Sequence, residues 1–555
     1  MSRNLLFPEH THSLFLTFVL CIGLNACNIG TDEGTKKKRV TAIKTSSMEM
    51  EQVVSFLTQT FDSTASEILV VEGDTIQDFQ DYRKAYQLNK FQPFWLNEEG
   101  ITDNVSDYIK VLNEIRYDGL LSEDYYLSKI KSGITTFTNN TANTESIQAF
   151  ELLLTTSFYK LSKDILIGKD TSLINKKDWK NKNDSLLDFA QILYKSIENN
   201  NIKEAVDLMR PNHPYYKAFK REYIRLDSLK SMSAWTKIEM PHDSLAIGTT
   251  NINIPSLRKR LFSEIHLPLD TLSSEWNQDL ISSIKKYQYQ NQLKVTGKLD
   301  TTTLHKLNGK IEDKLKTLAL NMERLRWLKH DFPQPYIWVD VPKMELNYVE
   351  NDSTKFNMRV VVGRPGRATT MLDAKLENIV LSPPWTVPPT IMKEEVVPGI
   401  ARRGGSYLAR RGLKAYDRRG RVVNASAINS KNYRKFSIGQ APGYRSSLGE
   451  VKFNLPNPWS IYLHDTPHRE DFVKSYRAFS SGCIRVHHPK EFAAFLLRDT
   501  TNYSLSKIDS ICKMRKTIFV PMKRKVEVHI VYLTNALDSV GNVMYLKDIY
   551  KWDKS

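Results

Sequence analysis

The chain has 555 residues, of which 41% are hydrophobic and 25% charged, and a formal net charge of +17. That length suits several domains of roughly 150 residues each, and the composition excludes a disordered or fibrous chain. The basic excess fits an acidic polymer or a membrane face, but its residues are scattered and form no nucleic-acid module, so no nucleic acid is expected as a partner.

The chain opens on MSRN, an apolar stretch SLFLTFVLCIGL, then Asn25, Ala26 and Cys27. A charged start, a short apolar run and a small residue before the cut describe an export signal over residues 1–27. The run is too short for a spanning helix. The LNAC ending resembles a lipoprotein signal, which implies Cys27 as the lipidated first residue and membrane contact through a lipid anchor. A polar tether follows over residues 28–45, with Lys36 to Arg39 placed to meet anionic headgroups. With Cys21 and Cys27 assigned to the leader and anchor, Cys483 and Cys512 remain. A disulfide framework needs more, which leaves a candidate nucleophile, with a single Cys483–Cys512 bridge as the structural alternative.

Residues 46–260 read as a helical scaffold. Val105, Ile109, Leu112 and Ile115 share one helix face, with Gly119 as the stop, and FELLLTTSFYKLSKDIL forms another apolar helix. No catalytic cluster is legible there. In 276–308, Ile281, Ile284, Tyr287 and Gln288 sit at helical spacing, Thr296-Gly297 makes a turn, and a short helix carries Leu304 and Leu307. This segment resembles a small three-helix peptidoglycan-binding module and is assigned residues 261–315. Residues 316–329 form a linking helix.

From residue 330 to 555 the pattern changes to strands. YIWVDVPKMELNYVENDSTKFNMRVVVG alternates at period two, with a hairpin turn at END and Ser353. A basic irregular insertion covers 386–447. EVKF and IYLHD restore strand character, and VEVHIVYLTNALDSVGNVMYLKDIY reads as a final hairpin. The fold class is therefore multidomain α+β: helical scaffold, three-helix module, and mostly-β domain with an inserted subdomain.

The chemistry concentrates at IYLHDTP and SSGCIRV. Alternation turns Ile461 and Leu463 one way and Tyr462 and His464 the other, which sends His464 into a cleft if the apolar pair is core. Cys483 follows nineteen residues later, and Gly482 removes a side chain beside it. A thiolate nucleophile needs a histidine as base or ion-pair partner. That histidine needs an acceptor on its other ring nitrogen. Backbone N–H groups of Gly482 and Cys483 are candidate oxyanion donors. Arg485 alternates back to the cysteine's side and suits a carboxylate. Pro489 suits the first turn of a helix.

YLHDTP and SSGCIRV at this separation resemble the signature of the L,D-transpeptidases, the YkuD-type cysteine enzymes of peptidoglycan cross-linking. The likeness extends to MRVVVGRPGRATTML, SPPWTVPPTIMKEEV and LGEVKFNLPNPWSIYLHDTP. With the helical part and the module, it resembles the large periplasmic subgroup. Ser481 stands where many small members have histidine.

The resemblance implies Cys483 as nucleophile, His464 as base and the Asp465 carbonyl as its orienter, with Gly482 at the oxyanion hole. It also implies substrate contacts from Arg485, Tyr462, Trp385 and Ser481, a capping role for 386–447, and 3→3 cross-linking through a thioester that carbapenems intercept. Donor and acceptor stem peptides are the implied partners, with cell-wall synthesis proteins reached through the scaffold. No cofactor or metal is called for. Two rivals stand beside this: a zinc-dependent peptidoglycan hydrolase using His464, Asp465, His468, His487 and His488, although no H-E-x-x-H spacing is present, and a non-catalytic wall-binding lipoprotein.

Overall fold

Helix dominates the chain up to residue 326 and strand dominates after it. The computed structural model describes residues 47–553 except 63–68, 77, 140, 170–187, 232–234, 241–244, 266–268 and 331. Cys27 and the export signal and tether expected from sequence lie outside the described residues.

The scaffold consists of α1 (Ser47–Asp62), α2 (Phe79–Leu88), α3 (Asp103–Glu114), α4 (Leu127–Thr138), α5 (Thr144–Ile167), α6 (Phe189–Glu198), α7 (Ile202–Met209) and α8 (Pro214–Ser231). Two small hairpins, β1 (Val70–Val71) with β2 (Asp74–Thr75) and β3 (Leu96–Asn97) with β4 (Gly100–Ile101), punctuate it. The expected face of α3 is buried at Val105 and Leu112. Ile115 begins a 3₁₀ turn that ends at Gly119, whose φ of 73° glycine adopts without strain. Helix α5 starts on a reciprocal capping box between Asn143 and Ser146. Its apolar run packs with Tyr86, Trp95 and Tyr108 in the scaffold core.

Helices α9 (Ile254–Ile265), α10 (Gln278–Gln290) and α11 (Thr301–Leu307) share one core through Leu257, Leu261, Ile284, Tyr287, Leu304 and Leu307. The buried Gln288 amide organises the turn between α10 and α11. Its oxygen accepts from the Thr296 and Gly297 N–H groups, both at 2.8 Å. Its nitrogen donates to the Lys298 carbonyl and to Thr296 and Thr303 hydroxyls. The boundary expected at 260/261 falls inside α9, and that at 315/316 falls inside α12 (Ile311–Arg326). The packing unit thus starts before residue 261: Leu257 is as much part of its core as Leu261, and Ile238 and Met240 ahead of α9 join it.

Helix α12 joins the two halves. Buried Arg326 donates to the Asp118 carbonyl (2.9 Å) and the Tyr216 hydroxyl (3.1 Å) of the scaffold and pairs with Glu323. One face further, Asn321 donates to Thr534 (2.9 Å) and Asn535 (2.8 Å), beyond the sheet.

The C-terminal half is built on β5 (Tyr336–Asp340), β6 (Glu345–Glu350), β7 (Ser353–Gly363), β8 (Leu372–Leu381), β13 (Val451–Asn454), β14 (Leu463–His464), β15 (Ala478–Ser480), β16 (Ile484–Val486) and β17 (Ile518–Val531). They run in the order β15-β7-β16-β14-β13-β8-β17-β5-β6, and β6 also pairs with β7, so the sheet closes on itself. Closure explains the alternation read from sequence: one side chain in two fills the interior. Asn351 and Asp352, with φ of 51° and 53°, make the expected turn between β6 and β7. Helices α16 (Pro489–Leu497), with Pro489 in its first turn, and α17 (Leu505–Lys513) pack together outside.

The expected final hairpin is shorter than read. VEVHIV belongs to β17, which lies between β8 and β5, and the hairpin is confined to β18 (Asn535–Leu537) with β19 (Val543–Tyr545). A half-buried hairpin strand and an inner sheet strand share the same alternation, so periodicity does not separate them.

The insertion is a subdomain with its own core at Val387, Ile400, Leu408, Ala415, Ile428 and Ile438. Its four-stranded sheet, in the order β11 (Val422–Val423), β10 (Lys414–Tyr416), β12 (Ser437–Gln440), β9 (Trp385–Thr386), is flanked by the short helices α13 (Pro389–Ile391), α14 (Val397–Arg403) and α15 (Ser406–Arg410). Among the described residues no helix is long and apolar enough to cross a membrane.

Candidate active site

Strands β14 and β16 are parallel neighbours, with Leu463 opposite Ile484 and His464 opposite Arg485. One residue back, the Ile484 N–H donates to the Tyr462 carbonyl at 3.1 Å, which sets Cys483 beside Tyr462. Ile461, Leu463, Ile484 and Val486 enter the barrel core. By the period of two, Tyr462, His464, Cys483 and Arg485 therefore share the outer face.

His464 is held in one tautomer by its neighbour. Its Nδ1 lies 2.5 Å from the Asp465 carbonyl oxygen, so Nδ1 carries the donated proton and Nε2 faces outward as acceptor. Burial, with the nearby charges of Arg485 and Lys452, drives the imidazole down to about 3 against the pull of the Asp465 carbonyl. The Asp465 carboxylate builds the turn that presents this carbonyl. It accepts from the Glu450 N–H (2.8 Å) and Thr466 N–H (2.6 Å) and pairs with Arg469 (2.6 Å).

The thiol of Cys483 is half-buried, and burial pushes its pKa up, opposed by Tyr462, Lys452 and Arg485. Burial thus raises the thiol and lowers the imidazole, which favours the histidine as general base over a standing ion pair. Cys512 is a buried free thiol near the Glu450 carbonyl, so no bridge joins the two cysteines.

One expectation about the oxyanion hole needs correction. The Gly482 N–H is not free: it donates to Ser480 Oγ at 3.2 Å, while that hydroxyl donates to the Cys483 carbonyl at 2.5 Å. The Cys483 N–H has no protein acceptor among the described residues and is the remaining backbone donor at the thiol. Gly482 is required for its φ of 115°. Its carbonyl accepts from Thr369, whose hydroxyl in turn accepts from the Gly363 N–H, both at 2.8 Å.

The substrate-facing candidates also find partners. The Tyr462 side chain interacts with both Trp385, at the start of the insertion, and Cys483, and the Cys483 thiol donates to the Ser460 carbonyl at 3.6 Å. Arg485 pairs with Asp471 at 3.3 Å. The Ser481 hydroxyl accepts from Arg367 at 2.9 Å, and Arg367 also pairs with Glu394 and, at 3.1 Å, Glu395 of the insertion. Glu394 and Glu395 lie in a single π-helical turn, Met392–Val396, a distortion frequent at functional sites.

The other histidines go elsewhere. His468 faces Glu470, His488 faces Glu491, and His487 packs on Phe472. Among the described residues no three His, Cys, Asp or Glu side chains gather as a metal-binding group. Lys452 and Arg367 were missed from sequence. Alternation in VKFN marks Lys452 as outward, whereas no local signal ties Arg367 to Ser481, 114 positions away.

Residues 334–521 match the family model described as the L,D-transpeptidase catalytic domain. The chain carries an L,D-transpeptidase catalytic domain. Residues 80–222, N-terminal to this transpeptidase domain, match a second model described as a scaffold domain. A Haemophilus influenzae protein, whose name assigns it provisionally to the L,D-transpeptidases, is 33% identical over 240 residues, or 43% of this chain and 48% of the relative. The matched segment thus spans about half the relative's length. The crystal structure of residues 123–326 of an L,D-transpeptidase from Xylanimonas cellulosilytica is matched over its whole length and 53% of this chain, at 12% identity and a TM-score of 0.15. That score is too low to bear on the fold.

Proposed function

We propose that the chain is a peptidoglycan L,D-transpeptidase that forms 3→3 cross-links by thioester acyl transfer. The observation that carries this is the shared outer face of β14 and β16, with Cys483 beside Tyr462 and His464 one step along, its Nδ1 tied to the Asp465 carbonyl.

His464 Nε2 takes the thiol proton as Sγ attacks the donor-stem carbonyl on the L-centre side of the terminal D-Ala. The tetrahedral oxyanion meets the Cys483 N–H. His464 then returns the proton to the departing D-Ala amine, leaving the thioester. An acceptor side-chain amine attacks this thioester and gives up a proton to the imidazole. The new amide forms and Cys483 leaves as thiolate, to be reprotonated. Neither step consumes a metal ion or a nucleotide. Arg485 suits a stem carboxylate, and the insertion shields the thioester from water.

The wider reading belongs to the same proposal. The chain is exported and anchored through Cys27, the α9–α11 unit contacts peptidoglycan, and the scaffold recruits wall-synthesis proteins. Intact mass after incubation with a carbapenem, wild type beside Cys483→Ala, tests the core of it. One adduct on wild type alone is expected, followed by 3→3 dimers from tetrapeptide muropeptides. No adduct on folded wild type with a free thiol overturns the proposal.

A further inference from the structure

His464 has a cation directly opposite it on each neighbouring strand: Lys452 on β13 and Arg485 on β16. Arg485 is neutralised in part by Asp471. Lys452 is different. Val451 and Phe453 on either side of it are fully buried in the barrel, so it stands on the outer face with His464 and Cys483. Its Nζ sits 4.2 Å from the centroid of the ring of Tyr462, the residue beside Cys483 whose side chain interacts with it. Among the described residues no carboxylate pairs with it. Lys490, by contrast, is held between Glu450 and Asp509.

We infer that Lys452 is a positioning residue of the acyl-transfer site, an ammonium pinned on the face of Tyr462 that serves as counter-charge to the Cys483 thiolate. The inference rests on Cys483 being the nucleophile. A half-buried ammonium without an anion is costly, and the cost is offset when the adjacent thiol ionises. Desolvation lowers the Lys452 pKa and the Cys483 charge opposes that, as expected of such a pair.

The groups that act most strongly on the thiol, among the described residues, fit the account. Tyr462 comes from just before β14, Lys452 from β13 and Arg485 from β16; Trp385 of β9 interacts with Tyr462, and His464 lies in β14. No carboxylate is among them, so removing one cation removes a substantial part of the field on the sulfur. The same charge discourages protonation of His464, which keeps the base able to accept.

The test reads the thiol directly. Iodoacetamide alkylation of the Cys483 peptide is followed by mass spectrometry across pH on the full chain, for wild type, Lys452→Met and Lys452→Arg. One neighbouring charge typically moves a pKa by about one unit or more. Lys452→Met is therefore expected to raise the alkylation midpoint by about one pH unit, a roughly tenfold loss of thiolate at neutral pH, and Lys452→Arg to restore it. An unchanged midpoint in a folded Lys452→Met protein overturns the inference, and so does an equal shift in both variants, since that would be packing rather than charge. Alkylation needs no peptidoglycan, so a failed transpeptidase reading would show separately, as absent carbapenem acylation of wild type.

Discussion

The imidazole of His464 is oriented by the carbonyl of the residue that follows it, Asp465, at 2.5 Å from Nδ1. Orienter and base are thus adjacent in the chain, and the tautomer that leaves Nε2 free is a property of one peptide unit. Replacing His464 with Ala removes the proton acceptor and leaves the thiol. Carbapenem acylation is expected to fall about 10²–10⁴-fold, while Cys483 still alkylates at high pH. Stopped-flow acylation beside iodoacetamide labelling checks both.

Gly449 controls that peptide unit from outside the site. It has a φ of 56°, and a β-carbon there would collide with the Asp465 carboxyl group. Gly449→Ala should push the Asp465 turn aside and misplace the base by a fraction of an ångström. Displacements on that scale cost up to about 10²-fold in rate. A fall in kcat with KM little changed, in a protein of unaltered secondary structure, is the expected result.

Arg367 ties Glu394 and Glu395 of the insertion to Ser481, two residues from Cys483. Arg367→Met cuts this tie and leaves the volume. The insertion should then hold less firmly over the thioester, so water competes better with the acceptor amine. The ratio of hydrolysed to cross-linked muropeptide, read by liquid chromatography, is expected to rise several-fold.

Buried Asp340 gives a pH signature in stability. Burial pushes its carboxyl up to about 7, and its Oδ2 has no hydrogen-bond partner. A carboxyl raised on folding contributes stability that is present below its unfolded value and lost as pH rises through about 7. Wild type should therefore lose about 2–3 kcal/mol through this group between pH 5 and pH 8. Asp340→Asn, which keeps the Oδ1 acceptor for the Lys343 N–H, should abolish that loss. Urea unfolding of the catalytic half at the two pH values measures it.

Much of the site was legible because it is local. Alternation in IYLHD separated Ile461 and Leu463 from Tyr462 and His464, and Pro489 marked the start of α16. The face of α3 and its stop at Gly119 followed from spacing alone. What was not legible is long-range. That β7 pairs with β16 on one side and β6 on the other, closing the barrel, is a choice between equally alternating strands. The Gly482 N–H looked available because only the fold brings Ser480 Oγ back onto it. Trp385 was expected at substrate; its link to Tyr462 depends on where the insertion's sheet docks.

The parallel pairing of β14 with β16 has a metric consequence. The chain between them, residues 465–483, makes a long excursion through Asp471 and Arg477, yet the separation of His464 from Cys483 is fixed by the ladder and not by the length of that path. The reacting pair is gauged by strand spacing, as two marks on adjacent rulers. The exposed stretch 473–476 is therefore a place where chain can be gained or lost while the interval between base and nucleophile stays constant.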